Sequence, residues 1–262
     1  MKITLFTANK SRHNHLINLL SKNCDELFVI QECSTIFPGI VPGSYPQSDL
    51  MKKYFKKVND AQYKIFGNEY VNSSNKNIKI LPIQMGDLNK CSLPILNDFL
   101  QSDIFIVFGS SYIKGDLVNF LLEKKTINIH MGVSPYYRGA DCNFWSLYDN
   151  NPHLVGSTIH LLSKGLDSGP LLYHAMSKIK KNPFEYSMST VKSAFQSIVT
   201  RVNDKTIFDI KPKKQDSSLE IRCTKKIEFC DEVVKDFLLK EVNLFSKDFD
   251  LALLKDVYFL NS

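Results

Sequence analysis

The feature that most constrains this chain is a series of short, uniformly apolar runs separated by helix-patterned segments. Ile3 to Phe6, Leu27 to Ile30, Ile78 to Ile83, Ile104 to Phe108 and Thr126 to His130 each read as a strand buried on both faces. Between them, Arg12 to Lys22 sets Leu16, Leu19 and Leu20 on one helical face. Ile113 to Glu123 does the same with Leu117, Phe120 and Leu121. Strands with no polar side need cover above and below, and the intervening helices supply it. The pattern predicts an α/β fold with a mostly parallel sheet and helices on both faces.

This is a Rossmann-like arrangement through residue 130, after which the pattern changes. A short aromatic helix around Phe144, Trp145 and Leu147 precedes two strands, Val155 to Leu161 and Pro170 to Ala175, and a long helix over 183–206. A polar hinge, Lys211 to Asp216, then leads to a tail of strands with a helix over Asp231 to Glu241. A chain of 262 residues suits one large domain with an appendage. The predicted division is a catalytic domain over 1–205 and a small C-terminal extension over 206–262. The Pro- and Gly-rich segment 34–50 reads as a long loop of the kind that often carries function.

Charge narrows the partners. The net charge is +6; residues 206–262 carry 10 Lys/Arg against 11 Asp/Glu, leaving +7 for 1–205. That favours an anionic small ligand. Arginine, however, is confined to Arg12, Arg138, Arg201 and Arg222, too few for the dense stripe of a nucleic-acid surface. Lys52, Lys53, Lys56 and Lys57 read as a solvated helix face. No apolar run approaches the ~20 residues of a membrane span. The N-terminus lacks a signal-peptide core, so a cytoplasmic address is expected. Six scattered cysteines form no Cys-x-x-Cys pair and show no metal-finger spacing with histidine, so neither a disulfide framework nor a metal site is expected. No Gly-x-Gly-x-x-Gly follows any strand, against a dinucleotide-dependent oxidoreductase.

Residues 126–170 hold the chemistry. Asn128 and His130 stand at i and i+2 on a strand, so both project to one side at its carboxyl end, where open α/β sheets bind ligands. Asp167 lies between Gly165 and Gly169 on a loop able to bring a carboxylate close to other backbone. An amide to hold an oxyanion, an imidazole to move or stabilise a proton, and a carboxylate to orient it would together suit acyl transfer. His153, His160 and His174 read as ordinary packed histidines.

This stretch resembles the formyltransferases that use N10-formyltetrahydrofolate. The motifs appear in the family's order: Asn128-Ile129-His130, Ser134-Pro135-Tyr136-Tyr137-Arg138-Gly139, Gly156-Ser157-Thr158-Ile159-His160 and Leu166-Asp167-Ser168-Gly169-Pro170. The strong resemblance covers about 103–175. It implies Asn128, His130 and Asp167 as the catalytic trio. It also implies a folate site at Gly109, Ser110, Ser111, Tyr112 and Ile113, and at Ser163, Lys164, Gly165 and Leu166.

The resemblance leaves the acceptor amine open among methionyl-tRNA, glycinamide ribonucleotide and nucleotide-linked amino sugars. The tail is short and acidic for tRNA. The turn after the first strand lacks the Gly-rich form of the ribonucleotide branch. The Ser134 to Gly139 loop with Asn143-Phe144-Trp145 looks most like the sugar branch. A nucleotide-sugar acceptor is therefore expected, with Lys10, Arg12, Ser134, Tyr136, Tyr137, Arg138 and Trp145 as its contacts. Lys10 and Arg12 at a helix start suit a diphosphate equally well as they suit solvent. His130 could act as base or as charged stabiliser. A non-catalytic nucleotide-sugar binding module is the alternative, and a homodimer is compatible with either.

Overall fold

The structure is a computed structural model and describes residues 1–34, 45, 48–72, 74–245, 248 and 250–260. Most of the predicted 34–50 loop lies outside the described residues. In chain order the elements are β1 (Lys2–Ala8), α1 (Ser11–Ser21), β2 (Glu26–Cys33), α2 (Asp49–Phe66), β3 (Ile78–Gln84), α3 (Leu93–Leu96), β4 (Ile104–Phe108), α4 (Gly115–Glu123), β5 (Ile127–His130), β6 (Tyr137–Gly139), α5 (Cys142–Tyr148), β7 (Ser157–Leu161), β8 (Leu171–Ser177), α6 (Pro183–Asn203), β9 (Arg222–Thr224), α7 (Asp231–Leu239) and β10 (Tyr258–Leu260).

Eight strands form one sheet in the order β10-β8-β7-β5-β4-β1-β2-β3. The run from β3 to β5 is parallel, β7 is antiparallel to both β5 and β8, and β10 joins β8 in parallel. Strand pleat sorts the core. Ile3, Leu5, Ile104, Ile106 and Phe108 face one buried layer with Leu16, Leu20 and Phe195. Phe6, Phe105 and Val107 face the opposite layer with Leu117 and Leu121. A third, aromatic cluster joins Tyr54 of α2, Phe144 and Trp145 of α5, Phe229, and Phe237 of α7.

Lys52, Lys53, Lys56 and Lys57 lie on the exposed side of α2, while Met51 and Tyr54 are buried. The described residues after 206 are knit into this body. Their β10 lengthens the main sheet, and β9 pairs with β6 in a separate two-stranded sheet. The polar segment after 211 is tied down as well, with Lys213 bridging Leu171.

Candidate active site

Chain order reverses across the sheet between β1 and β4, so the loops after these two strands splay apart and open a crevice. Lys10, Arg12 and His13 follow β1; Gly109 to Ile113 follow β4; Asn128 and His130 end β5 beside them.

Asp167 is brought to this edge by a loop that runs from β7 back to β8. Its backbone takes φ 44°, a left-handed conformation that Asp tolerates better than most residues. Two residues on, a Cβ at Gly169 would fall 1.7 Å from the Leu161 carbonyl oxygen, so only glycine fits that crossing. Gln215 locks the turn, its amide donating 2.8 Å bonds to the carbonyls of Asp167 and Gly169.

The three expected residues meet. Asp167 Oδ2 lies 3.3 Å from His130 Nδ1. Asn128 Nδ2 donates to Asp167 Oδ1 at 3.3 Å, and the Gly139 amide donates to Oδ2 at 3.2 Å. His160 joins them, although its alternating strand pattern marked it as ordinary core. It pairs in register with Asn128 across β5 and β7. Its Nδ1 lies 2.8 Å from the Leu161 carbonyl, which can only accept, so Nδ1 carries a proton. Its Nε2 lies 2.9 Å from Asn128 Nδ2 and 3.6 Å from Asp167 Oδ1. The signal for His160 was non-local: only the hairpin register places it opposite Asn128.

Electrostatics follow from burial and these partners. Burial by itself would raise the Asp167 carboxyl. His130, His160 and the Gly139 amide outweigh it and hold the group at about 2. Burial pulls His130 below its ordinary value, Asp167 opposes that, and His160 adds to it. His130 Nε2 lies 3.2 Å from the Tyr137 carbonyl. An imidazole with a carboxylate on one nitrogen and a carbonyl on the other gains a second acceptor when it takes up a proton. The site can therefore keep a neutral base and stabilise it once charged.

Two cavities open on His130. One, of about 310 Å³, is lined by Gly109, Ser110, Ser111, Tyr112 and Ile113, by Ser163, Gly165 and Leu166, and by Asn128, His160 and Asp167. These are the residues expected to hold folate, except Lys164, whose carbonyl instead accepts from the Tyr112 hydroxyl. Glu32 is buried behind the loop and accepts from the Ser111 and Gly86 amides. The other cavity, of about 220 Å³, is lined at its polar end by Lys10, Arg12, Tyr45 and Asp141 and elsewhere by Tyr54, Phe144, Phe184, Met188 and Phe237. Arg12, His130, Met131 and Gly139 border both.

The remaining expected substrate contacts are engaged elsewhere. Ser134 is buried and its backbone amide donates to Thr158. The Tyr136 hydroxyl donates to the Leu253 carbonyl, and Tyr137 is buried with its hydroxyl against Asp149. Arg138 pairs with Glu220. Trp145 is buried under the Arg222 guanidinium, 4.7 Å from the ring centre, while Arg222 itself pairs with Asp149. The cause is common to most of them: Glu220, Arg222 and Leu253 cover this loop, so side chains that would line an open cleft pack instead. Among the described residues no helix is long and apolar enough to cross a membrane.

Residues 98–201 match the formyl transferase family. Over 162 residues the chain is 33% identical to the methionyl-tRNA formyltransferase of Campylobacter lari, an overlap that covers 60% of this chain and 50% of that protein. The chain spans half or less of the length of the curated relatives it matches. Among solved structures, a sugar N-formyltransferase from Shewanella sp superposes with a TM-score of 0.54 at 16% identity, covering 87% of this chain and 78% of the other. The N-formyltransferase of Helicobacter canadensis, solved with folinic acid and dTDP-3-aminofucose, superposes with a TM-score of 0.50 at 15% identity, covering 87% and 72%. At these identities the structural likeness is one of fold.

Proposed function

We propose that this chain, which carries a formyl transferase family domain, moves a formyl group from N10-formyltetrahydrofolate to the amine of a nucleotide-linked amino sugar. The observation that carries the reading is the position of His130 on the wall shared by two cavities, with Asn128 and Asp167 beside it. One cavity suits a pterin: Val107, Phe108, Ile113, Leu162 and Leu166 offer apolar walls to a flat ring, and the loop backbone offers polar groups to its edge. When bound, the folate supplies the formyl carbon. The second cavity suits the acceptor, with cations at one end and aromatic side chains at the other.

Asn128 donates to the formyl oxygen as charge develops there, exchanging its long 3.3 Å contact with Asp167 for that bond. His130 would take the proton leaving the attacking amine and return it to the folate nitrogen that loses the formyl group, so that the transfer balances. Asp167 orients the ring and holds the imidazolium that results. His160 keeps the Asn128 amide aimed throughout.

Formylation of methionyl-tRNA is the second reading, supported by the names of the curated relatives. Against it stand the aromatic lining of the acceptor cavity and the 206–262 segment, which carries no net positive charge for tRNA phosphates. The deciding experiment incubates the purified chain and N10-formyltetrahydrofolate with a panel of nucleotide-linked amino sugars, glycinamide ribonucleotide and charged initiator tRNA. Mass spectrometry then follows the gain of one formyl group. Formylation of tRNA or the ribonucleotide, with none on any sugar nucleotide, overturns the proposal.

A further inference from the structure

Glu32 is fully buried, and the proposed chemistry does not use it. It stands on β2 two residues beyond Ile30, so it shares the pleat face that packs with Leu88, Ile113 and Leu117. β2 and β4 flank β1, which lets a side chain at the carboxyl end of β2 reach the loop that leaves β4. Both carboxylate oxygens are engaged: Oε1 accepts from the Gly86 amide at 2.9 Å and Oε2 from the Ser111 amide. Among the described residues no cation pairs with it. Burying a carboxylate against backbone amides alone is costly, and here it is directed at a loop that lines the 310 Å³ cavity. Asn89 holds the same loop from the turn after β3. Its Nδ2 donates to the Tyr112 carbonyl and its Oδ1 accepts from the Lys114 amide, each at 2.8 Å.

The 110–111 peptide is trans, so the Ser110 carbonyl points opposite to the Ser111 N–H. That N–H aims at Glu32, which is outside the cavity wall, whereas Ser110 and Ser111 both line the cavity. The Ser110 carbonyl therefore faces the cavity. Its neighbours are occupied: the Ser111 carbonyl accepts from Ser110 Oγ at 3.2 Å and the Tyr112 carbonyl from Asn89. Among the described residues the Ser110 carbonyl accepts no hydrogen bond. A carboxylate drawing on the N–H of a peptide strengthens the carbonyl at its other end as an acceptor. We infer that Glu32 is a positioning residue for the folate: it fixes the 109–113 loop and makes the Ser110 carbonyl a strong acceptor for an N–H on the pterin edge. This rests on the reading that folate occupies this cavity, and deepens it. Glu32 does not touch the ligand; it acts through one peptide group.

Folinic acid is titrated calorimetrically into the full chain and into its Glu32→Gln variant, with folding checked by thermal melt. Gln offers its single oxygen to one amide and sets an NH2 group against the other, so Kd should rise about 5–30-fold. KM for N10-formyltetrahydrofolate should rise in proportion, with acceptor KM within about 3-fold and kcat at saturation no more than about 3-fold lower. A carboxylate that only braces the end of the sheet predicts a lower melting temperature with no change in Kd. A second measurement needs no variant. When folinic acid is added to the wild-type chain, the carbonyl ¹³C resonance of Ser110 should shift more than that of Tyr112, whose oxygen Asn89 already occupies. Unchanged Kd in folded Glu32→Gln, a loss confined to kcat, or a larger shift at Tyr112 than at Ser110 overturns the inference. A wild-type chain that fails to bind folinic acid overturns the cofactor reading itself, so the two failures are distinguishable.

Discussion

Asp167→Asn is the most discriminating perturbation of the proposed chemistry. Asn has nearly the same shape and tolerates the φ of 44° at this position, so the loop crossing at Gly169 and the Gln215 clamp should persist. What disappears is the charge facing His130 Nδ1 at 3.3 Å. A hydrogen bond to a charged partner contributes about 1.5–3 kcal/mol, and each 1.36 kcal/mol is tenfold, giving roughly 10–10²-fold from imidazolium stabilisation alone. Loss of a correctly oriented base adds to this, within the ~10²–10⁴-fold range of positioned acid–base groups. The expected kcat is therefore about 10²–10⁴-fold lower, with both KM values within about 3-fold, since Asp167 acts on the proton rather than on ground-state binding. Stopped-flow release of tetrahydrofolate under saturation measures it. Acid unfolding gives an independent check. In the folded chain Asp167 is held at about 2, below an ordinary carboxylate. Its contribution to stability is thus present above the ordinary carboxylate range and is lost as pH falls through about 2. The gap in stability between wild type and variant should shrink across that window. A folded Asp167→Asn protein that keeps kcat within 3-fold, or that loses only KM, refutes the assignment.

Asn128→Ala should lower kcat by roughly 10²-fold, as loss of an oxyanion donor does, and a loss expressed only in KM would count against the role. Lys10 is held at about 8, so acceptor KM should rise as pH passes that value, because phosphate binding needs the charged form. Stability should move the other way: between about 8 and the ordinary lysine range the unfolded chain binds more protons, so raising pH favours the fold. Initial rates and melts across pH 7–10 test both signs. Gln215→Ala removes two bonds from the Asp167 turn and should cost about 1–3 kcal/mol of stability with a several-fold drop in kcat; an unchanged kcat would show that the turn holds without it.

The central strands β1, β2 and β4 were legible because they are largely apolar and buried on both faces, a local property; β3, at the sheet edge, is half exposed instead. Ile104 to Phe108 was bounded correctly for that reason. The pairing of Asn128 with His130 was legible because period-two geometry is also local. His160 was not, since its place beside Asn128 depends on how β7 returns against β5. Tyr136, Tyr137, Arg138 and Trp145 misled for the converse reason. Aromatic and cationic side chains on a Gly/Pro loop suggest contact with a ligand, but Glu220, Arg222 and the Leu253 carbonyl come from far along the chain and occupy them. The three-residue β10 carries too little periodicity to be assigned to the main sheet.

The covered loop and the largely buried trio are parts of one arrangement. A catalytic carboxylate on a loop needs fixed surroundings, since a displacement of about 1 Å can cost 10²-fold in rate. Here that fixity comes largely from residues after 206. Gln215 holds the Asp167 and Gly169 carbonyls. Thr224 of β9 accepts from the Ala140 amide at 2.9 Å and lies so close to Gly139 that a Cβ there would fall 2.1 Å from its oxygen. Gly139, at φ 91°, is thereby pinned with its own amide on Asp167 Oδ2. The Arg138–Glu220 and Arg222–Asp149 pairs flank this contact on the same short strand pairing. The side chains of the Ser134 to Gly139 loop thus serve the site through its backbone. Tyr137 offers a carbonyl to His130, and Gly139 offers an amide to Asp167. In the proposed mechanism, the C-terminal extension keeps both groups where the proton must move.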